Sequence, residues 1–187
     1  MKETKNKACP VVFLNRFLSR GQTTKHDIQD WLDTIKFGLH ITIEPTPWAP
    51  VVDDEVRQRL RQVEMNINRK FIGNKFSKFK DWYDRFWYAG FFEGQGKWRH
   101  SHVLLYLPYQ RMNVVGNHNY RRMTVSRTFV TEWFQIPSIN YLGRRKDIST
   151  PYTQKIKRKI NSVRCSRYDS KELHNKDAYE DYFFSTM

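Results

Sequence analysis

The sequence predicts a single mixed α+β domain, and three observations point there. Apolar residues recur at helical spacing within 24–36 and again from Asp53 onward. They alternate with a period of two in FGLHITIE (37–44). The runs WYAGFF (87–92) and WRHSHVLLYLP (98–108) flank a Gly-containing turn, as the two arms of a hairpin do. A chain of 187 residues is long enough for one sizeable core. There is no internal repeat. Residues 1–167 are read as the folded domain and 168–187, mildly acidic and without periodicity, as a C-terminal tail.

Taken in order, Ile28, Trp31, Leu32 and Ile35 form one stripe, with Thr24 as a candidate cap, so a short amphipathic helix is expected over 24–36. Phe37, Leu39, Ile41 and Ile43 then alternate with Gly38, His40, Thr42 and Glu44 as in a half-buried strand, and PTPWAP (45–50) stops it. Val56, Leu60, Val63, Ile67 and Phe71 predict a second helix, with Arg57, Arg59, Arg61 and Arg69 on its outer faces. Past a lysine- and aromatic-rich link (73–86) come the two hairpin arms, then a helical pattern over Met123–Gln135 and a short strand-like SINYL (138–142).

Lys and Arg number 33 against 19 Asp and Glu, a formal charge of +14, and 16% of residues are aromatic. Cations bind polyanions by releasing counterions, and aromatic faces stack unpaired bases, so single-stranded nucleic acid is the expected partner class. The basic residues concentrate between Arg144 and Arg167, where Asp147 is the single acid. Two cysteines, with no CxxC, argue against a disulfide framework and for a reducing compartment. With no apolar run of membrane length and no secretory leader pattern, a soluble protein of the cytoplasm is expected, or of the nucleus if the host is a eukaryote.

The chemistry centres on EGQGKWRHSH (93–102). If the arms pair across Gln95–Gly96, Glu93 faces Trp98 and Phe91 faces His100; Glu93, Trp98, His100, His102 and Leu104 then share one face. Val103, Leu105 and Leu107 point the other way, into a helix-packed core. Glu93 lies diagonal to His100, close enough for both to reach one ion. Two imidazoles and a carboxylate with open positions suit Mn²⁺, Mg²⁺ or a similar divalent metal, imidazole shifting the preference away from Mg²⁺ alone.

FFEGQGKWRHSHVLLYL resembles the metal motif of the HUH endonucleases, the rolling-circle replication initiators and relatives that nick single-stranded DNA. His100 and His102 match the two histidines of that motif and Glu93 its third ligand; Ser101 departs from the usual hydrophobic middle residue. The resemblance runs in motif order over residues 37–160. It implies a central antiparallel sheet of ferredoxin-like type, with helices on one face and the other left open as a basic DNA cleft. It also implies a nucleophilic tyrosine on a downstream helix, followed by lysine in a YxxK pattern. PYTQKIKRKI (151–160) supplies Tyr152 and Lys155 after Pro151, and Tyr152, Ile156, Ile160 and Val163 would form one helical stripe. Tyr141, in INYLGRRKD, is the competing nucleophile. Arg144, Arg145, Lys146 and Lys159 are candidate phosphate contacts. His40 and Thr42, on the polar face of 37–44, would correspond to the family's first motif and meet DNA or the site.

The implied activity is metal-dependent nicking and rejoining of single-stranded DNA, at an origin that is single-stranded or a DNA hairpin, through a 5′-phosphotyrosine. No GxxxxGK[ST] is present, so helicase and polymerase would come from the host or a separate protein. A transposase of the same chemistry and a non-catalytic single-strand-binding protein are the alternatives. The facial triad of an iron oxygenase would use the same three ligands but gives no reason for the basic stretch around Tyr152.

Overall fold

A computed structural model of the protein describes residues 31–44, 53–79, 81–94, 99–136, 155–159 and 182–185. Among the described residues five strands form one sheet: β1 (Leu39–Glu44), β2 (Trp87–Glu93), β3 (His100–Tyr106), β4 (Lys155–Lys159) and β5 (Tyr182–Phe184). The spatial order is β4-β1-β3-β2-β5, with every neighbouring pair antiparallel. Among the described residues two long helices, α1 (Asp53–Phe71) and α2 (His118–Gln135), accompany the sheet in an α+β architecture. No helix among the described residues is long and apolar enough to cross a membrane.

Strand alternation sorts the sheet into two faces. Leu39, Ile41, Ile43, Tyr88, Phe92, Val103, Leu105 and Phe183 turn towards Val56, Leu60, Val63 and Ile67 of α1 and Val125, Phe129 and Trp133 of α2. This is the expected helix-packed core. The α1 stripe is the one the periodicity predicts, and three acids in its first turn with Arg69 and Lys70 in its last complement the helix dipole. Helix α2 begins five residues before the predicted Met123, because Asn117 caps it by accepting a hydrogen bond from the Tyr120 N–H. Asn68 ties α1 to the start of β2: its carboxamide accepts from the Phe86 N–H at 2.9 Å and donates to the Phe86 carbonyl at 3.0 Å.

The opposite face is not an open cleft. Trp31, Leu32, Ile35, Phe37 and Trp82 pack there on Trp87, Ala89, Phe91, Leu104 and Phe184. Apolar side chains occupy that face of β2 and β3, and the aromatic segments flanking the sheet cover them instead of leaving them in water. Within the predicted 24–36 helix the described helical residues are 31–33, with a turn following.

Three further expectations are corrected. Arg59, assigned to an outer basic face, is buried between the helices, donating to Glu55 at 3.1 Å and to the Trp133 carbonyl at 3.1 Å. Residues 182–184, assigned to the tail, form strand β5 beside β2; Phe183 lies against Gly90, where a Cβ would meet its ring at 2.1 Å. Residues 155–159, assigned to a helix carrying Lys155 and Lys159, form β4 and pair with β1. Four of those five residues are cationic, and a helix would set Lys155 against Lys159 at i,i+4, a repulsive spacing. As a lysine-rich strand, at the edge of the sheet among the described residues, the segment instead satisfies the backbone of β1. The predicted SINYL strand lies outside the described residues.

Candidate metal centre

The site is built on the middle of the sheet. Strands β2 and β3 pair with Glu93 opposite His100 and Phe91 opposite His102. This differs from the predicted register, in which Glu93 faced Trp98. The shift is by two residues, so every side chain keeps its predicted face while its cross-strand partner changes. Arg99 favours the observed register. It forks onto both carboxylate oxygens of Asp53 at 3.1 and 2.6 Å, donates to the Gly94 carbonyl at 3.1 Å and lies over the Phe92 ring. The mouth of the hairpin is thereby fastened to the N-terminus of α1. Gly94 turns the chain at φ +79°, in the region that favours glycine.

Glu93, His100 and His102 converge. One oxygen, Glu93 Oε2, lies 2.8 Å from His102 Nε2 and 3.2 Å from His100 Nε2. One ligand atom from each residue falls within 4.8 Å of the other two. Two ligands at right angles on an ion, each about 2.1 Å from it, stand roughly 3.0 Å apart. The two separations bracket that value. Glu93 and His102 are buried, whereas the His100 side chain is 27% exposed. The donor set is therefore buried at Glu93 and His102 and partly open at His100.

Strand β1 supplies the surroundings. Thr42 pairs with His102 across β1 and β3, and its Oγ1 lies 3.3 Å from His102 Nδ1. His40 is buried and stacks on His102, with centroids 5.2 Å apart and planes inclined by 13°. His102 thus has a neighbour at each ring nitrogen and along one face. If Nε2 binds a cation, Nδ1 carries the proton and donates it to Thr42; with Nε2 protonated towards Glu93, the hydroxyl donates instead. Threonine serves both tautomers.

No family model, curated protein or solved structure matches the chain. The chemistry of the site rests on its own geometry. Of the residues singled out in the sequence, Glu93, His100, His102, His40 and Thr42 come together, the last two against His102 and not on an exposed DNA surface. Lys155 and Lys159 belong to β4, on the far side of β1. Tyr141, Arg144, Arg145, Lys146 and Tyr152 lie outside the described residues. Sequence reasoning left the Thr42–His102 contact unidentified. The alternation of both strands was visible, but which strand lies beside β3, and in which register, is a tertiary fact that neither segment encodes alone.

Proposed function

We propose that the protein nicks and rejoins single-stranded DNA in a metal-dependent reaction through a 5′-phosphotyrosine, initiating rolling-circle replication of a phage, virus or plasmid. The observation that carries this reading is the convergence of Glu93, His100 and His102 at 2.8 and 3.2 Å, on a chain with a formal charge of +14. A site for a divalent cation within a polycation suits a phosphodiester substrate better than a small neutral one.

Glu93, His100 and His102 would hold Mn²⁺ or Mg²⁺, which when bound supplies Lewis acidity and neutralises charge on the scissile phosphate. Thr42 and His40 fix the His102 ring, so the three ligands would keep their arrangement as phosphate approaches from the partly exposed His100 side. The nucleophile is a tyrosine, Tyr152 before Tyr141. Its phenol ordinarily titrates near 10 and must lose its proton for attack. As the phenolate oxygen bonds to phosphorus, the bond to the 3′ oxygen breaks and that oxygen takes up a proton. Attack by a 3′-hydroxyl on the phosphotyrosine reverses the exchange and rejoins strands without ATP.

The test is to incubate the protein with Mn²⁺ and short single-stranded oligonucleotides, and to look for a denaturation-resistant, protease-sensitive adduct whose attached residue is mapped by mass spectrometry. Tyr152→Phe is expected to bind DNA and form no adduct; loss of the adduct in Tyr141→Phe alone reassigns the nucleophile. His102→Ala is expected to abolish the adduct while sparing salt-sensitive DNA affinity. Salt-sensitive binding by the wild type with no adduct under any divalent metal leaves a non-catalytic single-strand-binding protein.

A further inference from the structure

The register of β4 on β1 carries a consequence for where the DNA runs. Lys159 pairs with His40, Lys157 with Thr42 and Lys155 with Glu44. Directly opposed residues share a face, and Thr42 in turn opposes His102. Positions 155, 157 and 159, all lysine, therefore fall on the face of the sheet that carries Glu93, His100 and His102, in one row along its edge among the described residues. Ile156 opposes Ile43 and belongs to the helix side. Two inter-strand spacings separate the row from β3, about 10 Å. Alternate residues along a strand are about 6.7 Å apart, a separation comparable to that of successive phosphates in an extended single strand.

We infer that Lys155, Lys157 and Lys159 form a phosphate track that lays single-stranded DNA along the β4 edge and leads it to the Glu93–His100–His102 site. The inference rests on the proposed nuclease reading for its destination, but the track itself is a binding property that needs no metal. Glu44, opposite Lys155, is the acid within the row, so Lys157 and Lys159 carry most of the effect. The alternative is that the lysines only keep the sheet edge from pairing with another chain, and this predicts no special role in DNA binding.

The experiment measures affinity for a fluorescent poly-dT oligonucleotide in EDTA as a function of salt. It compares wild type, the triple variant Lys155→Gln/Lys157→Gln/Lys159→Gln, and a charge-matched control, Lys70→Gln/Lys75→Gln/Lys78→Gln, whose three positions are exposed at the end of α1 and just beyond it. Each phosphate contact contributes about 0.7 to the log–log salt slope for single strands. The β4 variant is expected to lower that slope by about 1.4 to 2.1 and to weaken low-salt binding at least roughly tenfold, with the control close to wild type. The triple Lys→Arg variant keeps the charges and should bind as wild type, which separates charge from misfolding of the edge. Equal losses in the β4 variant and the control would overturn the track and leave edge protection. A wild-type protein that does not bind poly-dT at all sinks the nucleic-acid reading itself. Wild-type binding without adduct formation fails only the nuclease reading and leaves the track standing.

Discussion

His102 is the residue on which the site turns, because its ring contacts three side chains from two neighbouring strands. Thr42 Oγ1, 3.3 Å from Nδ1, can accept the Nδ1 proton when Nε2 faces a cation, and so holds the ring in that orientation. Hydrogen bonds to the far nitrogen of a ligating histidine typically change metal affinity by 10–100-fold. Thr42→Val, which keeps shape and strand preference, is therefore expected to weaken Mn²⁺ binding by roughly that factor, while Thr42→Ser restores it. Equal affinity in the valine variant, read by titration calorimetry, removes Thr42 from the site. Glu64 makes a different kind of prediction from the helix side of the sheet. Burial pushes its carboxyl up to about 7, against the opposing pull of Ser185, Arg85 and Arg61. With the folded value above the unfolded one, the native state binds more protons, so the stabilising contribution is complete below about 4.5 and is lost as pH rises through about 7. Glu64→Gln should remove this slope and make the protein more stable than wild type at pH 8, as denaturant melts at pH 5 and pH 8 will show.

At the scale of elements, the parts of the fold that obey a single periodicity were legible and those that depend on a partner were not. The α1 stripe, the β1 alternation and the faces of the hairpin follow from spacing alone, and the grouping of Glu93, His100 and His102 followed with them. The hairpin register did not, because a shift of two residues leaves the hydrophobic pattern unchanged and only tertiary contacts such as Arg99 with Asp53 tell the two pairings apart. β4 was misread because a lysine-rich pentapeptide with one isoleucine has no strong preference until β1 offers it an edge. β5 was missed because three residues are too few to show a period. Its importance can be measured through Gly90, the residue it packs on. A methyl group there would meet the Phe183 ring at 2.1 Å. Gly90→Ala should therefore expel the ring or distort β2, destabilising by about 1–3 kcal/mol as overpacking does. A variant as stable as wild type in urea would mean that β5 is not held against β2 in solution.

Across the whole molecule, the candidate ligands occupy the central strand β3 and its neighbour β2, with apolar packing on both sides of the two. Binding there cannot be a local event, since neither strand can leave without opening both cores. Unfolding would release any cation held there, and a ligand present at a hundred times its dissociation constant stabilises the native state by about 2.7 kcal/mol. For a chain of 187 residues, each kcal/mol shifts the melting temperature by roughly 2–4 °C. Saturating Mn²⁺ is thus expected to raise the melting temperature by about 5–11 °C over the protein in EDTA. Glu93→Gln and His102→Ala should each lose the shift, while the Lys155, Lys157 and Lys159 triple variant keeps it, because a lysine ammonium group has no lone pair to offer the ion. The pattern separates ligand residues from DNA residues without any nuclease assay. A wild-type protein whose melting temperature ignores Mn²⁺, Mg²⁺ and their neighbours would leave Glu93 as a buried hydrogen-bond acceptor shared by two imidazoles, and the proposed nuclease without its centre.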